Sequence, residues 1–176
     1  MRFNSKGQAF DVFKLLIAAV IALAMLAILM PILQNLIFNQ YGKPGEEAAN
    51  QIKNFYNRPS DYGQSKEVTF NQQSPTLNAE AIASAAQVGL DQSQICMSLG
   101  EFKDSTDFGF SASTRNLILK YTGSQKKVKL GIMCDDGANL EQSLADQGLT
   151  DLDLKCIDSG GPSGNQTFCA IVLIAS

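Results

Sequence analysis

The hydrophobic and polar positions divide the chain into a short apolar segment and a longer mixed one. From Leu15 to Leu33, 19 consecutive residues carry neither a charge nor a hydrogen-bonding side chain. As an α-helix rising about 1.5 Å per residue, this run would be ~28 Å long, close to the ~30 Å hydrocarbon core of a bilayer. The pattern therefore predicts a membrane-spanning helix within an apolar helical segment over residues 8–41.

Beyond the apolar run, the pattern predicts a break, a second helical piece and a linker. Residues 42–45 contain two glycines and Pro44, which disfavour a helix interior. Apolar residues then recur at helical spacing over Glu46–Tyr56, and Arg58–Gly63 has the composition of a linker. We therefore expect a helical extension and linker over residues 42–66.

Residues 67–176 alternate between short helical and short strand patterns, which predicts an α+β head. Helices are expected at Ala79–Val88, Gln92–Leu99 and Leu140–Gln147, with Asn78, Asp91 and Asn139 as N-caps. Strands are expected at Glu67–Phe70, Leu117–Tyr121, Val128–Cys134, Asp153–Ile157 and Thr167–Ile174. The second and third of these strands should pair as a hairpin. The predicted fold is thus an apolar helix followed by a small, disulfide-bonded α+β head.

Composition removes several classes of chemistry. The chain has no histidine, which excludes Ser-His-Asp and Cys-His catalysis, HExxH zinc sites and the commonest metal ligand. The net charge is −3, and no Lys or Arg lies between Thr76 and Gly100, so the two helices expected there lack the charges that neutralise phosphates. Asp135 and Asp136 lack the alternating ligands of a calcium loop and indicate a strand-to-helix turn. We expect no catalytic residue, no metal, no cofactor and no nucleic-acid partner.

Four cysteines lie beyond the apolar run: Cys96, Cys134, Cys156 and Cys169. None forms a CxxC pair, which disfavours a Cys-only zinc site. An even number of cysteines on the outer side of a membrane predicts two disulfides, with four reduced thiols as the alternative. Cys156 and Cys169 flank the loop 158–166 on strands that can lie antiparallel, so we predict that they pair and that Cys96 joins Cys134.

Charged residues on the two sides of the apolar run predict its orientation. Arg2, Lys6 and Lys14 precede the run, against Asp11, and Lys43 follows it with Glu46 and Glu47 behind. The positive-inside rule then places the N-terminus in the cytoplasm and the head outside the cell. A cleaved secretory signal is disfavoured, because the run is long and no small-x-small site follows it.

The start of the chain, Ser5-Lys6-Gly7-Gln8-Ala9-Phe10-Asp11 followed by the apolar run, resembles the class III signal of archaeal type IV pilins and archaellins. The resemblance implies that a prepilin-peptidase-like protease cuts between Gly7 and Gln8. Residues 1–7 would then be a leader, and the apolar helix would be retained. The resemblance covers about the first 35 residues.

Further residues of the helix fit the same family. Asp11 lies near the start of the mature helix, where bacterial type IV pilins carry an acidic residue, and Pro31 lies where those helices often bend. Ala18 and Ala22 form a small-xxx-small pair that allows helices to approach closely. The resemblance implies a structural subunit with the membrane and copies of itself as partners, held in the membrane as a precursor and assembled as a surface filament.

Two other functions fit the sequence. The chain could be a bitopic surface protein whose head binds a partner or ligand without polymerising, or an extracytoplasmic enzyme. One N-glycosylation sequon, Asn165-Gln166-Thr167, lies in the loop before the last predicted strand.

Overall fold

The computed structural model describes residues 5–71, 76–113, 116–157 and 162–176, and within the long N-terminal helix it describes the side chains of residues 14–26, 29 and 44–55. The helices are α1 (Ser5–Phe55), α2 (Ala79–Ala86) and α3 (Leu140–Asp146), with 3₁₀ turns at Gln92–Gln94 and Gly100–Phe102. The strands are β1 (Tyr62–Gln64), β2 (Val68–Asn71), β3 (Thr76–Asn78), β4 (Ile95–Ser98), β5 (Phe108–Ser113), β6 (Asn116–Tyr121), β7 (Gln125–Asp136) and β8 (Thr167–Ala175). The chain divides into two compact units, Met1–Asn39 and Gln40–Ser176, and we call the second unit the head.

The N-terminal helix differs from the prediction in its membrane role. Within the part of the chain that the structure describes, no helix combines the length and the hydropathy needed to cross a bilayer. The prediction of a membrane-spanning helix is therefore wrong.

The break predicted over residues 42–45 is also absent, because these residues are helical. Pro44 and Gly45 are buried, and the turns that follow place Ala48, Ala49 and Ile52 in the core of the head at 0–1% exposure. A helix interior loses about 3 kcal/mol at Pro and about 1 kcal/mol at Gly. Packing of this apolar face against the sheets offsets that cost.

The head contains two β-sheets in its described residues. In the larger sheet, β1 and β2 pair in succession with one edge of β7, β8 pairs with the other edge, and β4 runs parallel to β8. The smaller sheet has the antiparallel order β3-β6-β5. The predicted hairpin of β6 with β7 is therefore wrong. β6 has β3 and β5 on its two edges, so these neighbours already occupy the hydrogen-bonding positions that a hairpin with β7 would require.

Local sequence patterns predicted several strands and helices close to their observed positions. The strands expected at the positions of β2, β6, β7 and β8 and the helices at α2 and α3 are confirmed, with small shifts at their ends. The Asn78 side chain caps α2 by accepting a hydrogen bond from the Ala81 N–H at 3.3 Å. The strand expected at Asp153–Ile157 is reduced to one bridge between Lys155 and Met97.

The helix expected at Gln92–Leu99 is wrong. Asp91 and Gln94 form a capping box, but it closes only a 3₁₀ turn, and the chain continues as β4. All four residues of β4 are buried. A short apolar run has no periodicity that separates a buried strand from a buried helix, and here its pairing with β8 decides the outcome.

The prediction of two disulfides is confirmed, but the predicted pairing is wrong. Cys134 joins Cys169, and Cys96 joins Cys156. Cys134 and Cys169 are directly opposed in the β7–β8 ladder, and the bridge of Lys155 to Met97 brings Cys156 opposite Cys96. Cys156 and Cys169 do not lie on adjacent strands, because β4 lies between β8 and the segment that carries Cys156.

Candidate assembly surface

The first turns of α1 with described side chains form an apolar surface. Residues 14–26 and 29 are all exposed. The large apolar side chains among them are 43–72% exposed, with Leu15 at 72%, Leu23 at 67% and Met25 at 60%. Single exposed apolar residues are common on proteins, but a contiguous run of this size marks an interaction site. We call residues 15–26 and 29 the apolar segment.

The apolar segment is apolar on every side of the helix. Successive residues turn by about 100° around a helix axis, so Leu15, Leu16 and Ile17 alone point in three separate directions. A helix that packs against one neighbour shows one apolar stripe and a polar opposite face. Lys14 is the only charge over residues 14–29. The arrangement is typical of a helix surrounded by several apolar neighbours.

The free energy of burying these side chains indicates how many partner helices are needed for stable association. Burying a large aliphatic side chain contributes about 1.5–3 kcal/mol. A single partner helix would cover about half of the large side chains, roughly five of them, for ~7–15 kcal/mol. Association itself costs about 4–15 kcal/mol in lost freedom of motion. Association with one partner helix is therefore only marginally favourable, and association with several partner helices is clearly favourable.

Small residues lie within the same surface. Ala18 and Ala22 are both exposed and one turn apart, so they form a shallow place where another helix can approach closely. The other residues predicted for leader cleavage and assembly, Gly7, Gln8, Asp11 and Pro31, belong to α1, but their side chains lie outside the described part of the helix.

Within the head, a polar cluster joins the segment after α1 to the larger sheet. The Asp135 carboxylate accepts hydrogen bonds from Ser60 Oγ at 2.7 Å and from Ser143 Oγ at 2.6 Å, both at Oδ2, and from the Asp136 N–H at 2.8 Å, at Oδ1. Ser60 holds a left-handed backbone, with φ of 66°, and its N–H also bonds to the Cys134 carbonyl. The cluster thus joins the linker, β7 and α3 at one end of the larger sheet.

Electrostatics of this cluster favour the ionised carboxylate. Burial raises the pKa of Asp135, but the hydrogen bonds from Ser143, Ser60 and the Asp136 N–H outweigh it, and the pKa lies below its ordinary value. Sequence reasoning identified the strand-to-helix turn but missed the cluster, because Ser60 is 75 residues away along the chain.

Three small hollows lie on the surface of the head among the residues that the structure describes. Hollows of about 230 and 240 Å³ flank the segment Gly148–Leu152, and one of about 100 Å³ lies beside Ser98 and Phe110. Small-molecule sites usually enclose about 300–1,000 Å³. In the same described residues, no group of three or more acidic or cysteine side chains is arranged to hold a metal ion. The exposed large apolar side chains make the apolar segment the candidate functional surface.

No protein-family model matches the chain, and no curated protein or solved structure shows significant similarity to it.

Proposed function

We propose that this protein is the structural subunit of a type IV pilus-like surface filament, assembled through the apolar segment of α1. The observation that carries the proposal is the exposure of large apolar side chains on all sides of that helix. Copies of the same chain supply matching apolar helices, and a bundle of such helices covers every side at once. The head then forms the outer part of the filament.

The leader supports the same proposal. Cleavage between Gly7 and Gln8 removes Arg2 and Lys6 before assembly. If they stayed, the two charges would lie beside a bundle of apolar helices. Moving one Lys or Arg into apolar surroundings costs about 2.5–3.5 kcal/mol even on lenient scales. A peptidase of the prepilin type is therefore a partner of the precursor.

The two disulfides support a place outside the cytoplasm. Disulfides persist in oxidising surroundings and are reduced in most cytosols. Cys96, Cys134 and Cys169 are fully buried, and their two bonds link β7 to β8 and β4 to the segment before residue 158. A head exposed at a cell surface gains stability from both.

The test of leader removal is the substitution Gly7→Phe, made in the native host. A bulky residue in place of Gly7 should block cleavage, so the precursor should accumulate at normal levels with the mass of residues 1–7 retained, and filaments should disappear. Asn4→Gln, which leaves the cleavage site intact, is the control. Intact-mass measurement is combined with electron microscopy of sheared surface material. Absence of filaments from the wild type would favour a surface protein that does not polymerise, and normal filaments built from uncleaved Gly7→Phe would contradict the role of leader removal.

A second pair of variants tests the helix contact. The double substitution Ala18→Leu, Ala22→Leu keeps the segment apolar but fills the place of close approach, so filaments should become fewer or less stable under shear. Ala24→Leu is the matched control, because its neighbours one turn away, Val20 and Ile28, are already large. Equal filament yield from the double variant and the control would contradict close packing at Ala18 and Ala22.

A further inference from the structure

The turn before β8 holds a side chain whose chemistry the filament does not use. Asn165, Gln166 and Thr167 form the only Asn-x-Ser/Thr sequence in the chain. Transfer of a saccharide to asparagine needs this spacing and an accessible amide. A sequon alone is common, so the surroundings of Asn165 decide whether the amide is available.

The structure leaves the Asn165 amide available. Asn165 is exposed, and among the residues that the structure describes no hydrogen bond of its side chain is found. The backbone on both sides is held: the Gly137 N–H donates to the Gln166 carbonyl at 2.9 Å, and the Ala138 N–H donates to the Gly164 carbonyl at 3.1 Å. A modification at Asn165 would thus break no side-chain hydrogen bond among the described residues.

Other asparagines of the head lack either the Asn-x-Ser/Thr sequence or an available side-chain amide. Asn78 caps α2, and Asn116 bonds with Glu80 through both its oxygen and its nitrogen. Asn139 is exposed and near the same turn, but Leu140 and Glu141 follow it, so it has no sequon. Motif and access coincide at Asn165.

We propose that Asn165 is an N-glycosylation site, which takes a saccharide from a lipid-phosphate-linked donor. The amide nitrogen forms a bond to the anomeric carbon of the sugar, and the bond from that carbon to the phosphate oxygen breaks. The lipid phosphate leaves with the bonding electron pair, and the amide gives up one proton, which the leaving phosphate takes. Thr167 supplies the hydroxyl that the transferase recognises two residues after the asparagine.

The inference rests on the proposed function in one respect, since lipid-linked donors are used outside the cytoplasm. The glycan would lie where β7 ends and β8 begins, on the head, and would add a hydrophilic bulk there. Asn165 belongs to the head, whereas the apolar segment belongs to the other compact unit.

The experiment is mass spectrometry of the full chain purified from its native host, with filaments and leader cleavage scored in the same material. The peptide with Asn165 should carry the mass of one saccharide chain. Asn165→Gln and Thr167→Val should lose that mass completely. Thr167→Ser, which keeps the hydroxyl, and Asn139→Gln, which changes an exposed asparagine nearby, should retain it.

Three outcomes overturn the inference: an unmodified Asn165 in chains with both disulfides formed, a sugar mass that survives Asn165→Gln, or a mass that survives Thr167→Val. Filaments built from chains with a bare Asn165 would overturn the glycosylation site and leave the filament proposal standing. A glycan on Asn165 in a chain that forms no filament would do the reverse.

Discussion

In the proposed filament, a charge placed in the middle of the apolar segment should strongly weaken assembly and leave the stability of the head unchanged. Leu23 is 67% exposed in the single chain and belongs to neither cluster of core residues. Lys has nearly the same helix propensity as Leu, so Leu23→Lys should preserve α1. In the proposed filament, the substitution therefore acts on the contacts between copies.

The expected magnitude follows from that exposure. Two-thirds of the value of a fully buried Leu is about 1–2 kcal/mol, which Leu23 loses as a contact. Holding a Lys in apolar surroundings costs a further ~2.5–3.5 kcal/mol. Since 1.4 kcal/mol corresponds to a factor of ten, assembly should weaken by roughly 300-fold to 10,000-fold per subunit. Leu23→Gln, which loses the contact without adding a charge, should give a smaller loss.

The assay is the critical concentration for filament formation, measured by sedimentation and electron microscopy on the mature protein. Asn50→Lys is the control, because Asn50 is an exposed polar residue of the same helix within the head, and it should assemble like the wild type. Unfolding in urea should give the same midpoint for all three variants. Assembly of Leu23→Lys at the wild-type critical concentration would refute the argument that this surface is the contact.

The remaining predictions concern the head. Asp135→Ala leaves two hydroxyls and one N–H without their acceptor. It should lower the free energy of unfolding by several kcal/mol, since hydrogen bonds to a charged group contribute about 1.5–3 kcal/mol each. The control Asp136→Ala, at an exposed neighbour, should lower it by less than about 0.5 kcal/mol, and equal losses from the two variants would contradict the stabilising role of the cluster. The pKa of Asp135 is lowered in the folded state. Its contribution to the free energy of unfolding should therefore be complete above the ordinary carboxyl pKa of about 3.9 and fall as the pH drops below that value. Urea midpoints measured from pH 6 to pH 2 should fall less steeply in Asp135→Ala than in the wild type. Non-reducing peptide mapping should recover Cys134 joined to Cys169, and a peptide that joins Cys156 to Cys169 would contradict the observed topology. Replacing Cys134 and Cys169 by Ala should lower the free energy of unfolding by roughly 4 kcal/mol in the chain-entropy treatment of a 35-residue separation.

Local chemistry determined much of the secondary structure of the head. Asn78 before an alanine-rich run predicts the start of α2, because its side chain satisfies an N–H that has no partner inside the helix. Residues 167–174 predict β8 because β-branched and aromatic side chains fit a pleated surface. These signals act between neighbours in sequence, so they can be read without knowing the fold.

Contacts between distant residues decided the rest. β4 is a strand because β8 offers its edge to Ile95–Ser98, which as an isolated run fits either structure. The disulfide partners follow from strand order in the same way: Cys134 faces Cys169 only because β7 and β8 are neighbours. The cluster at Asp135 needs Ser60 from the linker and Ser143 from α3, and no pattern along the chain brings them together.

The candidate functional surface was likewise determined in part by the sequence and in part by tertiary contacts. The sequence by itself determined that α1 contains an apolar run free of charge from Leu15 to Leu33, and that the chain cannot use histidine chemistry. Tertiary structure decided which apolar residues of α1 stay exposed: Ile52 is buried in the head, whereas Leu23 is 67% exposed. The physical reason is that hydrophobicity is a property of a side chain, but burial depends on which surfaces the rest of the fold brings against it.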